Sequence, residues 1–225
     1  MDCLIIAAGF GSRLRAVSPS KPLTPVAGVP LIERVIRAAA EGGATRFFVA
    51  TGHEAARLEA FLATLPFEIA PVRVADWSLP NGHSVLAGAA QIPGDYLLTM
   101  SDHLFDPAIA AALVAAPPAG LTLAVDRDLA NPLLDMDDAT KVETDQGGAI
   151  VRIGKTLSQF DAIDTGLFRA TPALAEAIAA GGGSLSEGVQ RLADARATMT
   201  LDVTGRFWLD VDDPAALARA EARFG

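Results

Sequence analysis

The sequence predicts an α/β fold with a mostly parallel sheet flanked by helices, and three observations lead there. Between Asp2 and Asp126, apolar runs of strand length alternate with amphipathic runs of helix length, the pattern of a parallel sheet with right-handed crossovers. A glycine-rich bend directly follows the first apolar run. A hairpin pattern further along adds a small antiparallel flap or lobe.

Asp2 to Ala7 reads as the first strand. Leu31, Ile32, Val35, Ile36 and Ala39 form a helical apolar stripe with Glu33, Arg34 and Arg37 opposite, so a helix starts at Pro30 and stops at Gly42-Gly43. Strands are expected at Arg46 to Thr51, Phe67 to Val74 and Asp95 to Met100, with helices at Glu54 to Leu62 and Ser84 to Ala90 between them. A helix at Pro107 to Ala115 and a strand at Leu121 to Asp126 follow. Thr140 to Glu143 and Ala149 to Ile153 read as two short strands joined by the turn Asp145-Gln146-Gly147-Gly148. Helices at Pro172 to Ala180 and Ser186 to Ala193, a strand at Thr198 to Val203 and a helix from Pro214 complete the pattern, with Gly181-Gly182-Gly183 as a hinge-like linker. The whole is a Rossmann-like arrangement, expected as one domain over residues 1–225 with a substrate lobe near 126–168.

Of the 225 residues, 51% are hydrophobic, enough for a sizeable core, and the formal net charge is −9. That charge argues against nucleic acid as a main partner, because phosphate-backbone affinity needs many distributed cations. The single cysteine, Cys3, excludes a disulfide framework and reads as a buried packing residue. No apolar run reaches the length of a membrane span and no basic leader opens the chain, so a cytoplasmic protein without membrane insertion is expected.

Against this acidic background, Arg13, Arg15 and Lys21 stand in a stretch with no acidic residue between Asp2 and Glu33, beside Gly9 and Gly11. Cations without a counter-charge, next to glycines that let the backbone approach a ligand, suit a phosphate group. The spacing rules out a Walker loop, which needs a following G-K-[ST], and a dinucleotide fingerprint, which needs glycine where Leu14 stands. What remains is A-A-G-x-G-x-R followed by Lys21-Pro22. A glycine-rich turn with scattered surface cations is the plain alternative.

Met100-Ser101-Asp102-His103 ends an apolar strand, where ligands of open α/β sheets bind, although an aspartate there also suits a helix cap. Trp208-Leu209-Asp210-Val211-Asp212-Asp213-Pro214 gathers carboxylates that could meet Asp102 across a cleft around Mg²⁺, or cap the helix at Pro214. In an extended segment Asp210 and Asp212 share one face and Asp213 takes the other, free to cap. We favour Asp212 as the direct metal ligand with Asp210 as its neighbour. Asp164-Thr165-Gly166 alone would suggest an aspartic protease, which the alternating α/β pattern excludes. His53, His83 and His103 lie in separate segments without zinc-ligand spacing, and His103, next to Asp102, is kept as a substrate contact.

The A-A-G-x-G-x-R signature resembles that of nucleotide-sugar pyrophosphorylases and related nucleotidyltransferases. With Asn81-Gly82-His83-Ser84, MSDH, LAVDRDL, DATKV, IGK, DTGLF and TGRFWLDVDDP, the chain resembles their CTP:inositol-1-phosphate cytidylyltransferase branch along nearly its whole length. The resemblance implies that Ala7, Ala8, Gly9, Gly11 and Ser12 bind the nucleotide and that Arg13 and Lys21 hold its phosphates. It implies further that Asn81, Gly82 and Ser84 line the base pocket, that Asp102 binds Mg²⁺, and that Lys141, Asp164, Thr165 and Gly166 face the acceptor. Asp126 and Glu187 are counted with the substrate-binding residues.

The expected reaction is attack by a phosphate oxygen of inositol 1-phosphate on the α-phosphorus of CTP, with Arg13, Lys21, Asp102 and Lys141 as its catalytic groups. The alternatives are transfer of CMP from CTP to phosphocholine, or a sugar-1-phosphate nucleotidyltransferase that uses UTP or dTTP. A non-catalytic nucleotide-binding regulatory subunit is the alternative of another class. A separate downstream alcohol phosphotransferase is expected, and a homo-oligomer is left open.

Overall fold

The computed structural model describes residues 1–225. β1 (Asp2–Ala7) runs into two 3₁₀ turns, Ser12–Leu14 and Lys21–Leu23, and the two-residue strands β2 (Pro25–Val26) and β3 (Val29–Pro30) pair as a tight hairpin. Then come α1 (Leu31–Glu41), β4 (Arg46–Thr51), α2 (Ala55–Leu62), β5 (Ile69–Arg73), α3 (Gly82–Ala89), β6 (Tyr96–Met100), β7 (His103–Phe105) and α4 (Pro107–Ala115). The second half holds β8 (Leu121–Asp126), β9 (Lys141–Thr144), β10 (Ile150–Gly154), β11 (Ala162–Ala170), α5 (Pro172–Ala179) and α6 (Leu185–Asp194). β12 (Thr198–Asp202), β13 (Trp208–Asp210) and α7 (Pro214–Phe224) end the chain.

Nine strands make one sheet in the order β10-β9-β11-β6-β1-β4-β5, with β8 also on β11 and β12 on β8. The alternating first half forms the parallel set β6, β1, β4 and β5, as its pattern predicts. β11 runs antiparallel to β6, β8 and β9 and turns the sheet mixed. Ala162–Ala170, where the sequence pattern gives no strand, is buried on both faces and so lacks the period-two alternation that marks one. The hairpin β9–β10 is antiparallel as expected, and β9 joins it to the main sheet through β11.

Side chains of β1 alternate between two cores. Cys3, Ile5 and Ala7 pack with α1, α2, α4 and α7, while Leu4 packs with α3, α5 and α6 on the other face. Cys3 is wholly buried, and burial pushes its thiol up to about 12, as a packing residue requires. The glycine run between α5 and α6 is a packing surface: a Cβ at Gly82 would meet the Gly183 carbonyl oxygen at 2.2 Å. No helix is long and apolar enough to cross a membrane.

Two features of this topology build a cleft. β11 breaks register between Asp164 and Phe168, leaving Gly166 (φ +77°) beside the carboxyl end of β6. A Cβ on Gly166 would strike the His103 ring at 2.2 Å, so the glycine admits that imidazole. The short antiparallel pair β7–β13 sets Asp210 directly opposite His103.

Candidate active site

The cleft has two connected lobes. The first, about 420 Å³, lies over the glycine-rich loop and is lined by Ala7, Gly9, Gly11, Ser12, Arg13 and Lys21, with Asn81 and Ser84 from the start of α3. The second, about 490 Å³, is walled by the 133–140 segment, Lys155, Asp164, Gly166 and Trp208. Arg13, Asn81, Met100, His103, Asp210 and Asp212 border both.

Along the boundary, opposite charges alternate. Lys21 Nζ is held between the carboxylates of Asp102 and Asp212, and Arg13 joins Asp212 to Asp138, the latter at 2.7 Å. Lys155 meets the other oxygen of Asp138. Gly11, in the left-handed region at φ +59°, makes this possible: a Cβ there would lie 2.4 Å from the Lys21 Cβ, so only glycine lets the lysine stem lie against the loop.

Asp102 and His103 form the inner end. His103 Nδ1 lies 2.8 Å from Asp102 Oδ1 and 3.8 Å from Asp210 Oδ1. Burial works to raise the Asp102 pKa, but Lys21 and His103 outweigh it and hold the carboxyl well below the ordinary range. Burial likewise opposes protonation of His103, yet Asp210, Asp102 and Asp164 carry it up to about 9. Asp164 accepts the Gly166 N–H at 2.7 Å, and burial pushes its carboxyl up to about 6. Burial and the neighbouring Asp102 raise Asp210 as well.

One atom in this group has no hydrogen-bond partner: Asp210 Oδ1 is buried and accepts none, with His103 Nδ1 beyond hydrogen-bond reach at 3.8 Å. Ligand atoms of Asp102, His103 and Asp210 lie within 4.8 Å of one another. An orphaned carboxylate oxygen beside a second carboxylate fits a hard divalent cation, which prefers oxygen. The orphan lies on Asp210, whereas Asp212, the ligand favoured from sequence, is taken up by Arg13 and Lys21. Asp213 caps α7, accepting the Ala216 N–H at 2.7 Å, in keeping with its opposite facing in the extended segment.

Four residues expected at the substrate lie elsewhere. Asp126 is 1% exposed and accepts from Trp208 Nε1, Asn131 Nδ2 and the Asp128 N–H, each at 2.9 Å. It fixes the indole that walls the second lobe. Thr165 is buried and donates to the Ala124 carbonyl at 2.8 Å, and Glu187 completes the capping box of α6 with Ser184. Lys141 Nζ donates to the main-chain oxygens of Met136 and Lys155, so it secures the wall that Lys155 faces inward from. Gly82 and Ala8 sit behind the first lobe: Gly82 packs on Gly183, and Ala8 accepts the His53 N–H at 2.9 Å.

Asp126→Ala should therefore cost about 2–4 kcal/mol of stability in urea unfolding, because three donors, one a buried indole, lose their acceptor. An unchanged stability with a raised acceptor KM would return Asp126 to the substrate. Asp138, Lys155 and Arg219, which line the second lobe, received no role from sequence. Lys155 belongs to the Ile153-Gly154-Lys155 segment, where nothing local distinguishes it from Lys141.

A family model described as the MobA-like NTP transferase domain matches residues 3–149. The bifunctional IPC transferase and DIPP synthase of Rubrobacter xylanophilus is 33% identical over 224 residues, covering 96% of this chain and 50% of that protein. Its namesake from Thermococcus kodakarensis is 33% identical over 225 residues, covering 96% and 49%. The chain thus spans about half the length of these curated relatives. Among solved structures, the inositol-1-phosphate CTP transferase from T. maritima superposes with a TM-score of 0.87 at 23% identity, over 99% of this chain and 95% of that one, a likeness of fold. The matched segment carries the glycine-rich loop, Lys21, Asp102 and the 133–140 wall, and by it the chain belongs to the MobA-like NTP transferase domain family.

Proposed function

We propose that this protein transfers CMP from CTP to the phosphate of a polyhydroxylated alcohol, inositol 1-phosphate, releasing pyrophosphate. The observation that carries the reading is the alternating charge chain from Asp102 through Lys21, Asp212, Arg13 and Asp138 to Lys155, which joins a phosphate-binding loop to a second lobe. Two anionic substrates meeting there would each find a cation, at Lys21 and Arg13 on one side and at Lys155 on the other.

A phosphate monoester is already anionic at neutral pH, so no nucleophile or base has to be made. A nonbridging oxygen of the acceptor phosphate bonds to the α-phosphorus while the bond from that phosphorus to the bridging oxygen of pyrophosphate breaks. The work left to the protein is positioning and charge stabilisation. Lys21 and Arg13 exchange their carboxylate partners for the leaving pyrophosphate, and Lys155 holds the acceptor phosphate. Asp210, whose Oδ1 accepts no hydrogen bond, and Asp102, released as Lys21 turns to the pyrophosphate, would hold Mg²⁺, with His103 braced by Asp102 and Gly166 behind them. Bound there, the ion supplies Lewis-acid stabilisation of the phosphoryl charge.

The second lobe favours a polyol over choline. Asp135, Asp137 and Asp164 offer acceptors to hydroxyl groups, whereas a quaternary ammonium calls for an aromatic cage and Trp208 is the one aromatic in the lining. We assign the reaction to the cytoplasm and its product to an alcohol phosphotransferase.

A matrix of four nucleoside triphosphates against phosphorylated acceptors, read by pyrophosphate release with Mg²⁺, tests the reading. CTP with inositol 1-phosphate should turn over fastest. If UTP or dTTP with a hexose 1-phosphate wins, the acceptor assignment falls. Nucleotide binding without turnover for any pair would favour a regulatory subunit.

A further inference from the structure

The first lobe has an aromatic wall that neither the charge chain nor the phosphate loop uses. Trp77 and Leu79, from the turn between β5 and α3, line it, and Trp77 keeps 39% of its surface exposed. Behind the indole lies Phe10 of the glycine-rich loop, its ring centroid 6.0 Å away and its plane within 5° of parallel. His53, from the turn after β4, meets both rings edge-on at interplanar angles of 62° and 63°, at 4.8 Å from Phe10 and 5.1 Å from Trp77. The Arg15 guanidinium covers Phe10 at 4.4 Å.

Phe10 and His53 do not line the lobe and Trp77 does, so the stack backs the indole from outside the cavity. Three separate loops converge to build it. Gly52 permits the approach, since a Cβ there would meet the Trp77 Cβ at 2.6 Å and the Ala8 carbonyl at 2.7 Å. Offset stacking and edge contacts fix an aromatic plane. A large flat apolar face fixed in this way, yet left open to a nucleotide-sized cavity, suits a flat π-face as its partner.

We infer that Trp77 is the platform on which the nucleotide base stacks, with Phe10 and His53 holding the indole plane before the ligand arrives. The inference rests on reading the first lobe as the nucleotide site. Every base has a π-face, so the platform supplies affinity without choosing among bases. Choice falls to the hydrogen-bonding groups of the lobe.

Calorimetric titration of the whole chain with CTP, UTP and inorganic tripolyphosphate, each with Mg²⁺, separates the possibilities. Trp77→Ala should weaken CTP and UTP alike by about tenfold and leave tripolyphosphate, which has no base, unchanged. Trp77→Phe should recover most of the loss. Unchanged nucleotide affinity in Trp77→Ala overturns the platform. So does a parallel loss for tripolyphosphate, which would mean that Trp77 acts through the phosphate loop. Failure of the unmodified protein to bind either nucleotide would instead overturn the nucleotide reading of the lobe, and the platform with it.

Discussion

Lys21→Ala should lower kcat/KM by at least a hundredfold, on the order of 3 kcal/mol of transition-state stabilisation, while the fold persists. The side chain is only 10% exposed and its ammonium sits between Asp102 and Asp212, so water cannot take its place without cost. Without it, two carboxylates face each other at the point where a triphosphate must enter. The substrate then meets repulsion where it would have met a cation, and negative charge building on the leaving pyrophosphate has lost its nearest partner. Lys21→Arg should rescue poorly, because a planar guanidinium cannot occupy the slot that Gly11 leaves for a narrow stem and point charge. Steady-state kinetics with CTP, alongside a thermal melt, checks this. Near-normal activity in Lys21→Ala would remove the glycine-rich loop from the mechanism.

Asp210→Asn is expected to raise the Mg²⁺ concentration for half-maximal rate by at least about tenfold, the size that losing even an outer-shell partner of a metal brings. The orphaned Oδ1 and the closeness of Asp102 support this residue over its neighbours. Asp212→Asn should act differently, on the KM for CTP, because Asp212 orients Arg13 and Lys21. Asp213→Ala should cost about 1 kcal/mol of stability as a lost helix cap and leave the Mg²⁺ requirement alone. Rates measured across a Mg²⁺ series for the three variants separate these outcomes. If Asp212→Asn moves the metal requirement and Asp210→Asn does not, the preference read from sequence was right and the orphan oxygen is incidental.

Both expectations turn on residues that were visible from the start, and the pairings among them were not. The glycine-rich loop, its two cations, the aspartate after β6 and the carboxylate run before α7 could be named because each is a local pattern. Asp213 as a cap followed from period-two facing alone. Lys141 and Lys155 show the limit: each is a lysine at a hairpin strand or just past it, and only the placement of the Met136 and Lys155 carbonyls makes Lys141 the one that braces the wall. Asp126 ends an apolar strand much as Asp102 follows one, and the Trp208 indole that bonds it comes from far along the chain.

By itself the sequence determined the alternating half of the sheet, the helix boundaries at Pro30, Pro107 and Pro214, the glycine-rich loop with its cations and the candidate carboxylates. These rest on interactions between near neighbours: side-chain periodicity, fixed proline φ, glycine freedom and caps. Only the tertiary structure decided that β11 enters the centre of the sheet, that its register break admits His103, and that β13 pairs with β7 to bring Asp210 to the cleft. The joining contacts cross long stretches of chain, Arg13 to Asp212 spanning 199 residues. Such pairings are selected by which apolar faces the whole sheet can bury together, a property of the assembled core that no local window contains.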